Sequence, residues 1–192
     1  MSWQPSIFPF PLTSNVHSNT LNSALFGSYA FDKFGNKFQM VVAKGSSVAT
    51  FRGGYVGWHT SSNVLTGYTV SPDVSATDSN QAPAGICMAS IAATSVQAGN
   101  RVFWVLKAGN PRQAGLNAIV TDGKAGAGDY LVESASDGRF TGLNPTSITG
   151  ATNAAAGLRN ALAKNKIWTP SADGTTSLIT STRIGAVRVA CP

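Results

Sequence analysis

The sequence predicts a mainly β fold: a single antiparallel β-barrel domain with an extended N-terminal arm and one short late helix. Short segments in which apolar and polar residues alternate recur along the 192 residues, as is typical of strands with one buried face. Asp-Gly pairs and other glycine-rich turns separate these segments, since glycine reaches positive φ without steric cost. Only residues 154–166 have a convincing helical pattern, so helix is expected at one place.

The middle of the chain shows this pattern most clearly. Residues 116–120 predict a short strand, residues 121–129 a glycine-rich reversal, and residues 130–132 a second strand. An Asp-Gly pair at position 137 turns the chain again. Strands this short are stable only when they pair with a larger sheet, so this region is expected to join strands from the rest of the chain.

Most of the other predicted strands precede this region. Residues 29–52 alternate around a Phe-Gly-Asn turn, which predicts a hairpin and, from residue 48 to 51, the start of a further strand. Residues 86–92 and 101–107 are apolar on both faces, and the second of these strands is expected near the centre of the sheet. Polar residues dominate 60–83, which predicts a loop carrying one short edge strand.

Residues 1–28 predict an extended arm in front of the β-rich domain, which spans residues 29–192 with a helical insertion near residues 152–168. The first 31 residues carry no charged side chain. Prolines at positions 5, 9 and 11 block a helix, and the aromatic residues between them need burial. Two placements are open: the arm folds back on its own domain, or it lies across a neighbouring subunit, where a proline-rich segment loses little entropy on docking.

Charged residues make up only 11% of the chain, against roughly 25% in ordinary soluble domains. A surface this poor in charge predicts cover by partner subunits, and a secreted β protein with a Ser, Thr and Asn surface is the alternative. The net charge is +6, but the basic residues are scattered, which predicts a general preference for acidic surfaces and no specific nucleic-acid site. A candidate basic contact face lies near the end of the chain: Arg159, Lys164, Lys166, Arg183 and Arg188.

The two cysteines, Cys87 and Cys191, are far apart in apolar, strand-like segments. This favours two buried thiols over a disulfide bond, although one distant bridge stays open. The first residues lack the basic start and long apolar core of a signal peptide, and no apolar run is long enough to span a bilayer. The chain is therefore expected to fold in a cytoplasm, without a membrane partner.

Motifs that carry catalysis or metal binding are missing from the sequence, including GxSxG, HExxH and DxDxDG. The glycine-rich segment 123–128 contains a lysine but precedes a strand, whereas a phosphate loop opens a helix, so it predicts a turn. His59 beside Trp58 is the best catalytic candidate, and a hydrolase that uses it ranks third among the functions. The sequence predicts no enzyme, no cofactor and no metal.

Four short segments resemble one family. They are the apolar stretch from Ala84-Gly85-Ile86 to Gly99–Val105, then Gly128-Asp129-Tyr130-Leu131, Asp137-Gly138-Arg139-Phe140 and Arg183-Ile184-Gly185-Ala186-Val187. In their order they are similar to the motifs of the small capsid decoration proteins, or cement proteins, of tailed bacteriophages. The similarity covers residues 84–190, while the 60–83 loop and the helical insertion depart from the smallest members.

The resemblance implies a β-tulip-like domain in a non-enzymatic virion protein that is made in the host cytoplasm. Such a protein binds the outside of the capsid and stabilises it by clamping neighbouring major capsid subunits. It also implies a homo-oligomer, with a trimer favoured over a dimer. The apolar residues of the arm are then the expected contacts with the capsid or with neighbouring subunits: Trp3, Ile7, Phe8, Phe10 and Leu12.

A second class of function is a receptor- or glycan-binding module of a head fibre or tail. In that case exposed Trp and Tyr side chains between residues 53 and 70 are the expected binding platform. Binding of saccharides in the absence of capsids distinguishes this module from a decoration protein.

Overall fold

The computed structural model describes residues 8–43, 48–61, 64–73, 83–122, 130–143, 167–168, 178–180 and 187–191. These residues form a mainly β domain with a single short helix, α1 (Ala93–Gln97), and two 3-10 turns, Ser18–Thr20 and Ser23–Leu25. The strands in chain order are β1 (Val16–His17), β2 (Tyr29–Phe31), β3 (Lys37–Ala43), β4 (Tyr55–Ser61), β5 (Val64–Ser71), β6 (Pro83–Cys87), β7 (Arg101–Gly109), β8 (Ala118–Val120), β9 (Tyr130–Glu133), β10 (Phe140–Leu143), β11 (Ile167–Trp168), β12 (Leu178–Thr180) and β13 (Arg188–Ala190).

Five of these strands close into a barrel. Strand β7 pairs with β3 and β6, β6 pairs with β4, β4 with β5, and β5 returns to β3. Four of the contacts are antiparallel, while β3 and β5 run parallel where Val42 lies opposite Thr69. Closure of the barrel gives hydrogen-bond partners to backbone N–H and C=O groups that would be unpaired at the edges of an open sheet. The predicted mainly β barrel fold is confirmed.

Strand β7 lies at the centre of the molecule, as its apolar pattern predicts. Its residues alternate between two cores, because successive side chains of a strand point to opposite faces. Phe103 and Val105 point into the barrel, where they meet side chains from the other four barrel strands. Trp104 and Leu106 point outward into a larger core that also contains Phe38.

The larger core is covered by a second layer of short strands. Strand β6 pairs with the middle of β7, and β13 pairs with the end of β7 that follows. From β13 the strand order of the sheet continues through β11 to β9 and β10, which form a hairpin. This hairpin packs against the barrel, since the Tyr55 N–H donates to the Gly138 carbonyl over 2.9 Å. The rings of Tyr55 and Phe140 meet edge to face with centroids 5.5 Å apart. Strands β8 and β12 form a separate antiparallel pair.

Three predictions about local structure are wrong. Residues 60–83 are not a loop with one short edge strand, because β4 runs to Ser61 and β5 is an eight-residue strand of the barrel. The polar residues of β5 do not indicate a buried strand, but backbone pairing with β4 and β3 holds this segment in the barrel. Residues 48–51 form only an isolated bridge between Thr50 and Ile91, since the chain turns where Gly53 has φ 85°.

The third correction concerns residues 86–92. The strand ends at Cys87, and the chain bends through Met88 before helix α1 begins at Ala93. Val96 of this helix is fully buried against the barrel core. The apolar residues after Cys87 therefore contribute to the core without extending the strand. The helix predicted at 154–166 lies outside the described residues.

Candidate functional site

The described part of the arm, residues 8–28, packs against its own domain. Phe10 is only 7% exposed, and its ring centroid lies 5.7 Å from that of Trp104. The ring of Phe8 stands edge-on to Trp104 at 5.3 Å and to Phe38 at 5.7 Å. Val16 pairs with Val102 at the start of β7. Of the two placements that the sequence leaves open, these residues adopt the one in which the arm folds back.

This placement changes the assignment of the predicted capsid contacts. Phe10 belongs to the chain's own core, so its ring is not accessible to another subunit. Phe8 and Leu12 are only partly buried, and both line a cavity. Trp3 and Ile7 lie outside the described residues. The accessible part of the predicted contact is thus the cavity wall.

The cavity, here called the arm cavity, has a volume of about 430 Å³. It lies between the arm, the tip of the β2–β3 hairpin and the loop that follows β7. Its lining is mainly apolar, and its polar members are Asp32, Lys33 and Gln113. The apolar walls are Phe8, Leu12, Phe31, Phe34 and Ala114.

Hydrogen bonds fix the walls of the arm cavity. The Asp32 Oδ1 atom accepts from the N–H groups of Phe34 and Asn36, over 2.8 and 3.0 Å. The Asn36 Oδ1 atom accepts from the N–H of Asn110 over 2.8 Å. These bonds hold the hairpin tip and the loop after β7 in one arrangement. The cavity is therefore preformed and does not depend on a bound partner.

Exposed hydrophobic side chains continue from the cavity along the outermost strand. Strand β2 ends the strand order of the sheet and, among the described strands, pairs with β3 alone. Tyr29 is 51% exposed, Phe31 42% and Phe34 55%, and Leu25 before the strand is 39% exposed. We call these four residues the edge surface. Large exposed hydrophobic side chains on neighbouring segments of the chain are typical of interaction sites.

Two lysines cover part of the edge surface. The Lys37 Nζ atom lies 3.8 Å from the centre of the Tyr29 ring, and Lys33 Nζ lies 5.0 Å from that of Phe34. A cation over an aromatic face is attracted by the ring quadrupole and orients the ring. The positive charge beside the aromatic rings suits a partner surface that is apolar with acidic neighbours.

The predicted basic contact face is only partly described. Four of its residues lie outside the described ranges: Arg159, Lys164, Lys166 and Arg183. Arg188 lies on β13, opposite Trp168 of β11. The basic face therefore stays a prediction.

The predicted glycan platform and catalytic histidine are mostly buried. Of the Trp and Tyr residues between 53 and 70, Tyr55 is 1% exposed and Trp58 is half-buried beneath the Nζ atom of Lys107, 5.0 Å from its ring. Tyr68 is 48% exposed and packs over Gly27. His59 is 5% exposed. These residues do not form one accessible platform.

The structure brings together an ionisable pair for which the sequence gives no motif. The Tyr55 hydroxyl donates a hydrogen bond to Glu133 Oε2 over 3.2 Å. Burial raises the pKa of Glu133 to about 7, and the hydrogen bond from Tyr55 opposes this increase. Burial also raises the pKa of Tyr55, so the phenol stays protonated and acts as the donor. The pair joins the barrel to the β9–β10 hairpin.

Both cysteines are free thiols, as the sequence predicts. Burial raises the pKa of Cys87 to about 12 and that of Cys191 to about 11. Because the thiolate is the nucleophilic form, both side chains are unreactive near neutral pH. Burial lowers the pKa of the neighbouring Lys107, whose side chain is 1% exposed.

Comparison with known proteins gives no match to a protein-family model, to a curated protein or to a solved structure. The described residues contain no helix long and apolar enough to cross a membrane. The fold and the surface define the chain as a closed five-stranded β-barrel with a docked arm and an exposed hydrophobic edge.

Proposed function

We propose that this chain is a non-enzymatic structural protein of a bacteriophage particle. It binds the outside of the capsid and stabilises the shell by clamping neighbouring major capsid subunits. The short sequence segments that resemble capsid decoration proteins suggest this role. The observation that carries it is the edge surface, where large hydrophobic side chains are exposed together in a chain of which only 11% is charged.

The edge surface is the capsid contact in this proposal, in place of the buried Phe10. Removing apolar surface from water contributes about 25 cal/mol per Å². Each copy buries a modest area, but the stabilisation of the shell adds up when many copies bind to it. Because the protein binds the assembled shell and not its separated subunits, each contact shifts the equilibrium toward the assembled state.

The test is occupancy of capsids that have been stripped of the protein. We expect the double variant Leu25→Ser, Tyr29→Ser to bind at clearly reduced copy number per particle, measured by quantitative gel. Phe51→Ser is the matched control, because Phe51 is 39% exposed but lies outside the edge surface. Full occupancy by the double variant would exclude the edge surface as the contact, and failure of the wild-type chain to bind any shell would exclude the function.

A glycan array tests the receptor-binding alternative. Of the aromatic residues predicted to form its platform, Tyr68 alone is exposed. Saccharide binding that is lost in Tyr68→Ala, together with no capsid binding, would replace the decoration role by this alternative.

A further inference from the structure

We propose that the arm cavity binds residues 1–7 of a second copy of this chain, so that copies associate by exchanging arm segments. This inference goes beyond binding to a capsid and can be tested without one. It rests on the lining of the cavity, on the position of Phe8 in its wall, and on the composition of residues 1–7.

The cavity has the size and chemistry of a side-chain pocket. Its volume of about 430 Å³ falls in the range of roughly 300–1,000 Å³ found for ligand sites. Phe8, Phe31 and Phe34 supply aromatic walls, which pack well against an indole or a branched aliphatic side chain. Asp32, Lys33 and Gln113 are the polar residues of a lining that is otherwise apolar apart from the backbone of Gly115. The expected occupant is therefore an uncharged segment with a large hydrophobic side chain.

Residues 1–7 have this composition. The segment carries no charge and includes Trp3 and Ile7. Its last residue, Ile7, is bonded to Phe8, which is one of the cavity walls. The point from which the donor segment extends and the acceptor site thus lie on the same edge of the molecule. Two copies that meet at this edge place each segment next to the cavity of the other.

The prolines favour exchange over return to the same cavity. Gln4, Phe8 and Phe10 each precede a proline, and a residue in that position is restricted to extended conformations. A segment held extended folds back into the cavity beside its own Phe8 less readily than it reaches the cavity of another copy. Seven extended residues span up to about 23 Å, enough to cross to an adjacent copy.

The edge strand offers a second contact to an incoming segment. Strand β2 pairs with β3 on one side, and no other described strand pairs with it. Its outer backbone groups can therefore bond to an extended segment laid beside Tyr29 and Phe31. Exchange of this kind closes around a two-fold axis, and equally around the three-fold axis of the trimer that the family resemblance implies.

Sedimentation velocity of the purified chain tests the proposal. We expect the wild-type chain to self-associate and both Trp3→Ala and Phe34→Ser to weaken association by about tenfold or more, as for loss of an aromatic anchor. Phe51→Ser is the matched control and should leave association unchanged. A wild-type chain that is monomeric at every concentration, or association that neither variant weakens, would overturn the proposal.

Disulfide trapping separates exchange from return within one chain. Chains carrying Trp3→Cys are mixed with chains carrying Gln113→Cys, whose position is exposed at the cavity rim. We expect a disulfide-linked heterodimer on a non-reducing gel, and none when Gln97→Cys replaces Gln113→Cys. Gln97 lies on α1, beside the opposite end of β7, about 27 Å away along the strand. A chain that carries both Trp3→Cys and Gln113→Cys is oxidised separately. A disulfide bond that forms within this chain, while the mixture of single variants gives no heterodimer, would overturn exchange.

Discussion

The Tyr55 hydroxyl and the Glu133 carboxylate, 3.2 Å apart, link the barrel to the hairpin of β9 and β10. Tyr55 is 1% exposed and lies on β4, whereas Glu133 ends β9, 78 residues further along the chain. The bond gives the outer layer a polar anchor beside the edge-to-face contact of Tyr55 with Phe140. Its strength depends on the protonation of one carboxyl group.

Stability should therefore depend on pH through Glu133. Its pKa is 4.5 when solvated and about 7 in the folded chain because of burial. Between these values the folded state binds more protons than the unfolded state, so the free energy of unfolding falls as pH rises. We expect the melting temperature of the wild-type chain to fall more steeply from pH 4.5 to about 7 than that of Glu133→Gln, which cannot ionise. Equal slopes would contradict this role.

Removing the Tyr55 hydroxyl tests how much its hydrogen bond stabilises the ionised Glu133 carboxylate. In Tyr55→Phe the Glu133 carboxylate loses its donor while staying partly buried, which we expect to cost about 1–3 kcal/mol above pH 7. The loss should be smaller near pH 5, where Glu133 is protonated. Urea unfolding at both pH values measures it, and Tyr29→Phe, at an exposed tyrosine, is the control. An equal loss of stability at both pH values would contradict the prediction, because the effect would then not depend on the ionisation of Glu133.

The placement of the arm predicts a large effect at Phe10. Since its ring is buried against Trp104, Phe10→Ala should destabilise the domain by about 3–5 kcal/mol, the range for removal of a buried aromatic ring. Phe34→Ala should change stability by no more than about 0.5 kcal/mol, because that side chain is 55% exposed. Chemical denaturation compares them, and a neutral Phe10→Ala would show that the arm is not docked on its own domain.

Two glycines differ in whether a side chain would add steric contact to backbone strain. Gly35 has φ 78° with open space where a side chain would lie, so Gly35→Ala should cost about 1 kcal/mol through strain alone. Gly85 has φ 153°, and a Cβ there would lie 2.6 Å from the Leu106 carbonyl oxygen. Gly85→Ala should therefore cost at least about 2 kcal/mol, since β6 must move away from β7. Thermal unfolding of both variants tests this order.

Much of the fold could be predicted from local chemistry. The alternation in Arg101–Lys107 assigns Trp104 and Phe103 to opposite cores, because the side-chain period of a strand is two. The turn at Gly35 and the Asp-Gly pair at 137 mark the β2–β3 and β9–β10 hairpins, because they require positive φ or side-chain capping of the backbone. The residues of β5 were predicted as part of a loop because threonine, glycine and serine interrupt their apolar pattern, while the strand is held by backbone pairing with β4 and β3.

The sequence by itself determined the mainly β class, the central strand, the β2–β3 and β9–β10 turns and the supply of uncharged aromatic residues for an interface. Tertiary structure decided that Phe10 is core while Phe34 is surface, and that Tyr55 meets Glu133. It also decided that the parallel contact of β3 with β5 closes the barrel. Each of these depends on residues distant in sequence, whose contacts follow from how the whole chain closes on itself. Interactions between neighbouring residues determine the turns and the alternation along each strand. Which face of each strand is buried depends on how distant segments pack together in the closed barrel.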